Sequence, residues 1–168
     1  AVRVHQGCLD EAAALTTRNR RVGLLATEAT VTSGRYEQLV RSHDASVEVI
    51  SVPCPLLVPL IEGPDPFGEE TTQAVRDVAA PLQAAGVDTV ILGCTHYPIL
   101  RPIFQRVFGR GVTLVFSADE TAREVAETLA RKEIENDEAR EGSYRFLTTG
   151  DPDAFREMGK RFLQLPIR

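Results

Sequence analysis

Apolar residues in this chain alternate between short unbroken runs and longer stretches where they recur every three or four positions. The runs at residues 21–26, 47–52, 87–92, 112–116 and 144–149 read as strands, most of them buried. Between them the helical period governs. Residues 30–42 predict a helix with Thr30 as N-cap and Tyr36, Leu39 and Val40 on its apolar side. Residues 56–62 predict a short apolar helix or turn, and 69–85 the longest helix, closed by Gly86. Helices are also expected over 99–108, 119–132 and 151–162, with a short one over 11–17. Pro98 and Pro102 fit the start of the first of these, Ser117 or Asp119 caps the second, and Asp151 caps the last. Strand–helix alternation of this kind is α/β, a mainly parallel sheet flanked by helices.

Ligands of such sheets gather where strands end at their carboxyl edge. Three strand ends here are polar: Thr27 with Thr30, Cys94 to His96, and Thr148-Thr149-Gly150-Asp151. The last has a structural reason, since Gly150 permits a turn and Pro152 opens a helix. The charged run 131–141 reads as a solvated helix end and loop.

Composition narrows the classes. With 168 residues, 43% hydrophobic and 26% charged, the chain can bury one sizeable core. A net charge of -5 without a basic stripe argues against nucleic acid as a partner. No apolar run approaches the roughly 20 residues that span a bilayer, so no membrane is implied. Cys8, Cys54 and Cys94 are odd in number and widely spaced, which fits a reducing cytoplasm rather than a disulfide framework. The one tight Cys/His pair is Cys94 with His96, with no second ligand pair at zinc-finger spacing, and no metal or other cofactor is called for.

The densest chemistry is Leu92-Gly93-Cys94-Thr95-His96-Tyr97-Pro98, directly after a buried strand. A thiol at a strand-to-helix junction meets backbone N–H groups, which favour its reactive thiolate and predict a lowered pKa. Two roles stay open. Cys94 can be a nucleophile paired with His96, as in thiol hydrolases, or a thiolate general base helped by His96. Thr27 and Thr30 can bind an anion or simply end a strand and cap a helix. Glu62 is a site carboxylate or a surface one. Cys54, between two prolines, is assigned to packing, and His5 and His43 to the surface.

Four stretches together resemble the glutamate racemases, which are cofactor-independent. They are Val22-Gly23-Leu24-Leu25-Ala26-Thr27 through Gly34, Pro53-Cys54-Pro55 through Glu62, the Gly93-Cys94-Thr95-His96-Tyr97-Pro98 motif, and Thr148-Thr149-Gly150-Asp151-Pro152. The related aspartate racemases typically carry glutamate where His96 stands. The resemblance implies that two cysteines flank the substrate α-carbon and exchange acid and base roles, supplying D-glutamate for peptidoglycan. It makes Cys94 one of them, assisted by His96 and Glu62, with Thr95, Thr27 and Thr30 contacting glutamate, the small-molecule substrate.

The resemblance also implies a departure. The family's Asp-Ser-Gly-x-Gly-Gly opening and the Cys-Asn-Thr segment with the first catalytic cysteine have no counterpart in the chain, which begins at Ala1. Residues 1–115 are then expected to form one complete domain of a two-domain racemase, and 116–168 the returning segment of the other. Alone, the chain is expected not to racemise. Its strand over 144–149 would lack neighbours, so that disorder of 133–168, re-docking or a homodimer is expected. A racemase of aspartate or another amino acid, a non-catalytic interaction module and a thiol hydrolase are the competing readings.

Overall fold

The computed structural model describes residues 16–136 and 142–164. The helix expected at 11–17 lies almost wholly outside the described residues, as do Cys8 and His5. The chain divides into two compact units between Arg131 and Lys132.

The first unit holds four strands, β1 (Arg21–Ala26), β2 (Glu48–Pro53), β3 (Thr89–Leu92) and β4 (Thr113–Phe116). Its helices are α1 (Glu28–Thr32), α2 (Arg35–His43), α3 (Leu57–Glu62), α4 (Glu69–Ala84), α5 (Arg101–Phe108) and α6 (Ser117–Arg131). The strands form one parallel sheet in the order β2-β1-β3-β4. Because the sheet is sandwiched between helices, its central strands are apolar on both sides. Val22, Leu24, Leu25 and Ala26 of β1 are fully buried, as are Thr89 to Leu92 of β3. Val40 and Tyr36 of α2 pack on this core.

The helix expected over 30–42 is two helices. Gly34 sits at φ 60, a left-handed conformation that breaks the helical path and lets α2 restart at Arg35. The cap is Thr27, whose hydroxyl accepts from the Thr30 N–H at 3.4 Å; Thr30 is inside α1 and is not the N-cap. The helix expected over 99–108 also begins differently. Tyr97–Leu100 forms a 3-10 turn, and α5 starts only at Arg101, each piece carrying one proline near its start. Arg101 stacks over the Phe116 ring at 3.7 Å and pairs with Asp119, tying α5 to the end of β4 and the first turn of α6.

At the amino edge of the sheet, Asp88 holds the approach to β1. Its carboxylate accepts from the Thr17 hydroxyl at 2.7 Å, the Arg18 and Asn19 N–H groups at 2.8 and 2.9 Å, and the Thr89 hydroxyl at 3.0 Å.

In the second unit, α7 (Pro152–Leu163) is capped by Asp151, which accepts from the Asp153 N–H at 2.8 Å. The strand expected over 144–149 does not form. Residues 142–148 have no regular structure, and Tyr144 and Leu147 are exposed. A strand exists only by pairing, and the sheet among the described residues contains β1 to β4 alone.

Candidate active site

The strand order places the chemistry. β1 leads outward to β2 on one side, and the chain then crosses back to β3 on the other, so the order reverses between β1 and β3. At such a switch point the loops diverge and leave a crevice at the carboxyl edge of the sheet. β1 releases Thr27 there, and β3 releases Gly93 and Cys94. The register brings Leu25 beside Leu92, and the Gly93 N–H donates to the Leu25 carbonyl at 2.9 Å. Gly93 also keeps the approach close: a Cβ there would lie 3.1 Å from Leu24 Cδ1 and 3.3 Å from the Ala26 methyl.

Cys94 is half-buried, with its Sγ 3.8 Å from His96 Nδ1. On the far side of the ring, His96 Nε2 is 2.8 Å from Glu62 Oε1. Nε2–H donating to the carboxylate leaves Nδ1 as an acceptor for the Cys94 S–H. Three residues from two segments thus form one line from thiol through imidazole to carboxylate. α3 ends at Glu62 because Gly63 leaves the helical path in extended backbone, while Leu57 and Ile61 bury its inner side.

Thr27 and Thr30 are brought together, their hydroxyls 2.9 Å apart and partly accessible. Thr95 is exposed on the turn after Cys94. Cys54 is a packing residue, as its proline-flanked context predicts: it is 1% exposed, and its thiol donates to the Val52 carbonyl at 3.4 Å. Burial pushes that thiol up to about 11, against the lowering influence of the Tyr97 hydroxyl and the Ala26 backbone. His43 is exposed, as expected.

One expectation is overturned. Burial raises the Cys94 thiol above its ordinary value, and the His96 and Tyr97 N–H groups oppose that rise without cancelling it. The cause is local. Cys94 leads into a turn and a four-residue 3-10 helix, so no α-helix N-terminus points at the sulfur.

Tyr97 is the residue that pattern reading passed over. It is fully buried against Phe104, with ring centroids 5.9 Å apart. Its hydroxyl stands beside the Cys54 thiol. A polar ring three positions after a candidate thiol, in a turn-forming segment, was the available signal.

No group of three or more potential metal ligands occurs among the described residues, and no described helix is long and apolar enough to cross a membrane. The family model for Asp/Glu/hydantoin racemases matches residues 1–125. A glutamate racemase from Parafrankia sp. is 46% identical over 90% of this chain and 55% of its own length. The crystal structure of a glutamate racemase from Bacillus anthracis superposes with a TM-score of 0.89 at 34% identity, covering 96% of this chain and 60% of that one. That of the enzyme from Francisella tularensis, solved in complex with D-glutamate, gives 0.84 at 27% identity over 96% and 60%. The chain spans about half the length of the curated relatives it matches, and it belongs to the Asp/Glu/hydantoin racemase family.

Proposed function

We propose that this chain supplies one catalytic face of a cofactor-independent glutamate racemase acting in the cytoplasm and providing D-glutamate for peptidoglycan. The observation that carries the reading is the Cys94–His96–Glu62 line at the β1/β3 switch point. The thiol passes its proton to His96 Nδ1, and Glu62 stabilises the imidazolium. The thiolate then takes the substrate α-proton, becoming a thiol again and leaving a carbanion. A second acid on the opposite face protonates that carbanion, inverting the centre. In the reverse direction Cys94 is the acid. Thr27, Thr30 and Thr95 hold the substrate carboxylate and amino group.

The opposite acid is not Cys54, whose buried S–H is committed to the Val52 carbonyl. On this reading a group other than Cys54 supplies that acid, and the 168-residue chain is proposed not to racemise by itself. Resemblance to racemases of known name, including one bound to D-glutamate, supports glutamate as substrate.

The test is a chimera in which this chain replaces the matching part of the Parafrankia enzyme, assayed by the optical rotation of glutamate. The chimera is expected to interconvert both enantiomers, and Cys94→Ala to abolish this. A folded chimera acting on aspartate but not glutamate, or one indifferent to Cys94→Ala, would overturn the reading.

A further inference from the structure

We propose that Tyr36 is a positioning residue for Cys94: the tip of its ring fills the space of the side chain that residue 93 lacks, and so fixes the strand end from which the thiol is released. The inference rests on the thiolate role proposed for Cys94.

Gly93 still holds to the sheet, its N–H donating to the Leu25 carbonyl at 2.9 Å. A Cβ built on it would meet three groups at once: Leu24 Cδ1 at 3.1 Å, the Ala26 methyl at 3.3 Å and Tyr36 Cζ at 3.4 Å. All belong to the buried core beside β1, with Leu24 and Ala26 at 0% and Tyr36 at 4% exposure. Leu24 and Ala26 come from the sheet itself. Tyr36 comes from α2, so its ring sets how far that helix stands from the end of β3. Protein interiors are close-packed, and either a gap or an extra methyl in such a place moves its neighbours.

The path from this contact to the chemistry is short. Cys94 is the next residue, and the Tyr97 N–H donates to the Cys94 carbonyl at 3.2 Å, so residues 94–97 turn as one unit off Gly93. That unit carries Cys94 Sγ 3.8 Å from His96 Nδ1, while His96 Nε2 is met at 2.8 Å by Glu62 of α3. Glu62 belongs to another segment and does not follow the turn. A shift at residue 93 therefore moves the thiol and imidazole relative to the carboxylate, and a misplacement of about 1 Å costs about 100-fold in rate. The carbon that touches is the para carbon of the ring. Phenylalanine keeps it, and leucine ends two bonds short of it.

In the 168-residue chain, iodoacetamide alkylation of Cys94 is followed by peptide mass spectrometry across about pH 6 to 10, which brackets thiol ionisation. Burial is what chiefly raises this thiol, against the N–H groups of His96 and Tyr97. His96 on its own turn, Glu62 from α3 and Cys54 after β2 are present in every variant, so a moved midpoint reports a moved sulfur. Tyr36→Leu is expected to lower the midpoint by about half a pH unit or more, and Gly93→Ala to do the same. The double variant Gly93→Ala/Tyr36→Leu puts its new methyl in the vacated space. It is expected to recover at least about half of that shift, as is the conservative Tyr36→Phe. Val40→Ala, a fully buried change in the same helix and core, is expected to lower the thermal midpoint without moving the titration. In the racemising chimera, kcat is expected to fall about tenfold or more in Tyr36→Leu and to rank the variants in the same order.

An unmoved midpoint in folded Tyr36→Leu overturns the proposal. So does an equal shift in Val40→Ala, which makes the effect a general loosening, or in Tyr36→Phe, which assigns it to the hydroxyl. Absence of recovery in the double variant overturns it as well. A chimera indifferent to Cys94→Ala refutes the thiolate role itself; one that needs Cys94 but ignores Tyr36→Leu refutes only this inference.

Discussion

His96 Nε2 lies 2.8 Å from Glu62 Oε1, although the two residues are 34 positions apart and reach each other from the end of α3 and the loop after β3. The contact orients the imidazole so that its other nitrogen faces Cys94. Glu62 is about half exposed, so solvent screens part of its charge.

Glu62→Gln keeps a hydrogen-bonding side chain but no longer stabilises an imidazolium. In the racemising chimera it is expected to lower kcat by about 10–100-fold, and His96→Asn by about 100-fold or more, the usual range for a lost acid–base partner. Steady-state kinetics with both enantiomers measures this. Undiminished kcat in His96→Asn would remove His96 from the proton path.

Thiol selectivity is set by burial. At pH 8, iodoacetamide is expected to modify Cys94 at least about ten times faster than Cys54, whose thiol is pushed up to about 11 and is 1% exposed. Mass mapping after timed quenching reads the ratio, and denaturant should erase it.

Gly23 faces α4 so closely that a Cβ would fall 2.7 Å from Leu82 Cδ1, and Leu82 is itself fully buried. Gly23→Ala is expected to cost about 1–3 kcal/mol by overpacking. Adding Leu82→Ala should cost less than the two single changes summed, because the cavity receives the new methyl. Urea unfolding of the four chains closes the cycle.

Asp88 makes stability pH-dependent. Burial, the largest single influence, raises its pKa, but the hydrogen bonds from Thr17, Arg18, Asn19 and Thr89 together hold it below the ordinary carboxylate value. A depressed folded pKa contributes stability that is present above the unfolded value, near 3.9, and is lost as pH falls through the folded one. Asp88→Asn is expected to cost about 1.5–3 kcal/mol at pH 7 and to show a flatter loss below about pH 4. Thermal melts of both proteins across that window measure the difference.

Much of this molecule was legible in its residues. Unbroken apolar runs such as Val22 to Ala26 could only be central strands, because no half-exposed position tolerates them. Proline at 53 and glycine at 86 ended elements near where the polypeptide ends them. The motif around Cys94 was equally visible, since a thiol and an imidazole two apart can meet across a turn. Boundaries failed where conformation outweighed periodicity: Gly34 split a helix whose apolar spacing ran through it. The strand expected at 144–149 failed because pairing is supplied by other segments and not by the run itself.

By itself, then, the sequence determined the layered α/β class, the family likeness and the identity of the candidate thiol, because local propensity and motif chemistry are written residue by residue. Only the tertiary structure decided three further matters. The strand order set the ends of β1 and β3, and with them Thr27 and Cys94, at the carboxyl edge of neighbouring strands, and α3 delivered Glu62 to His96. Packing buried Cys94 enough to raise its thiol, against the lowering pull of the N–H groups in its turn. It also buried the Tyr97 ring behind that turn, against Phe104. These depend on distances between segments far apart in the chain, and desolvation and hydrogen bonding act through those distances.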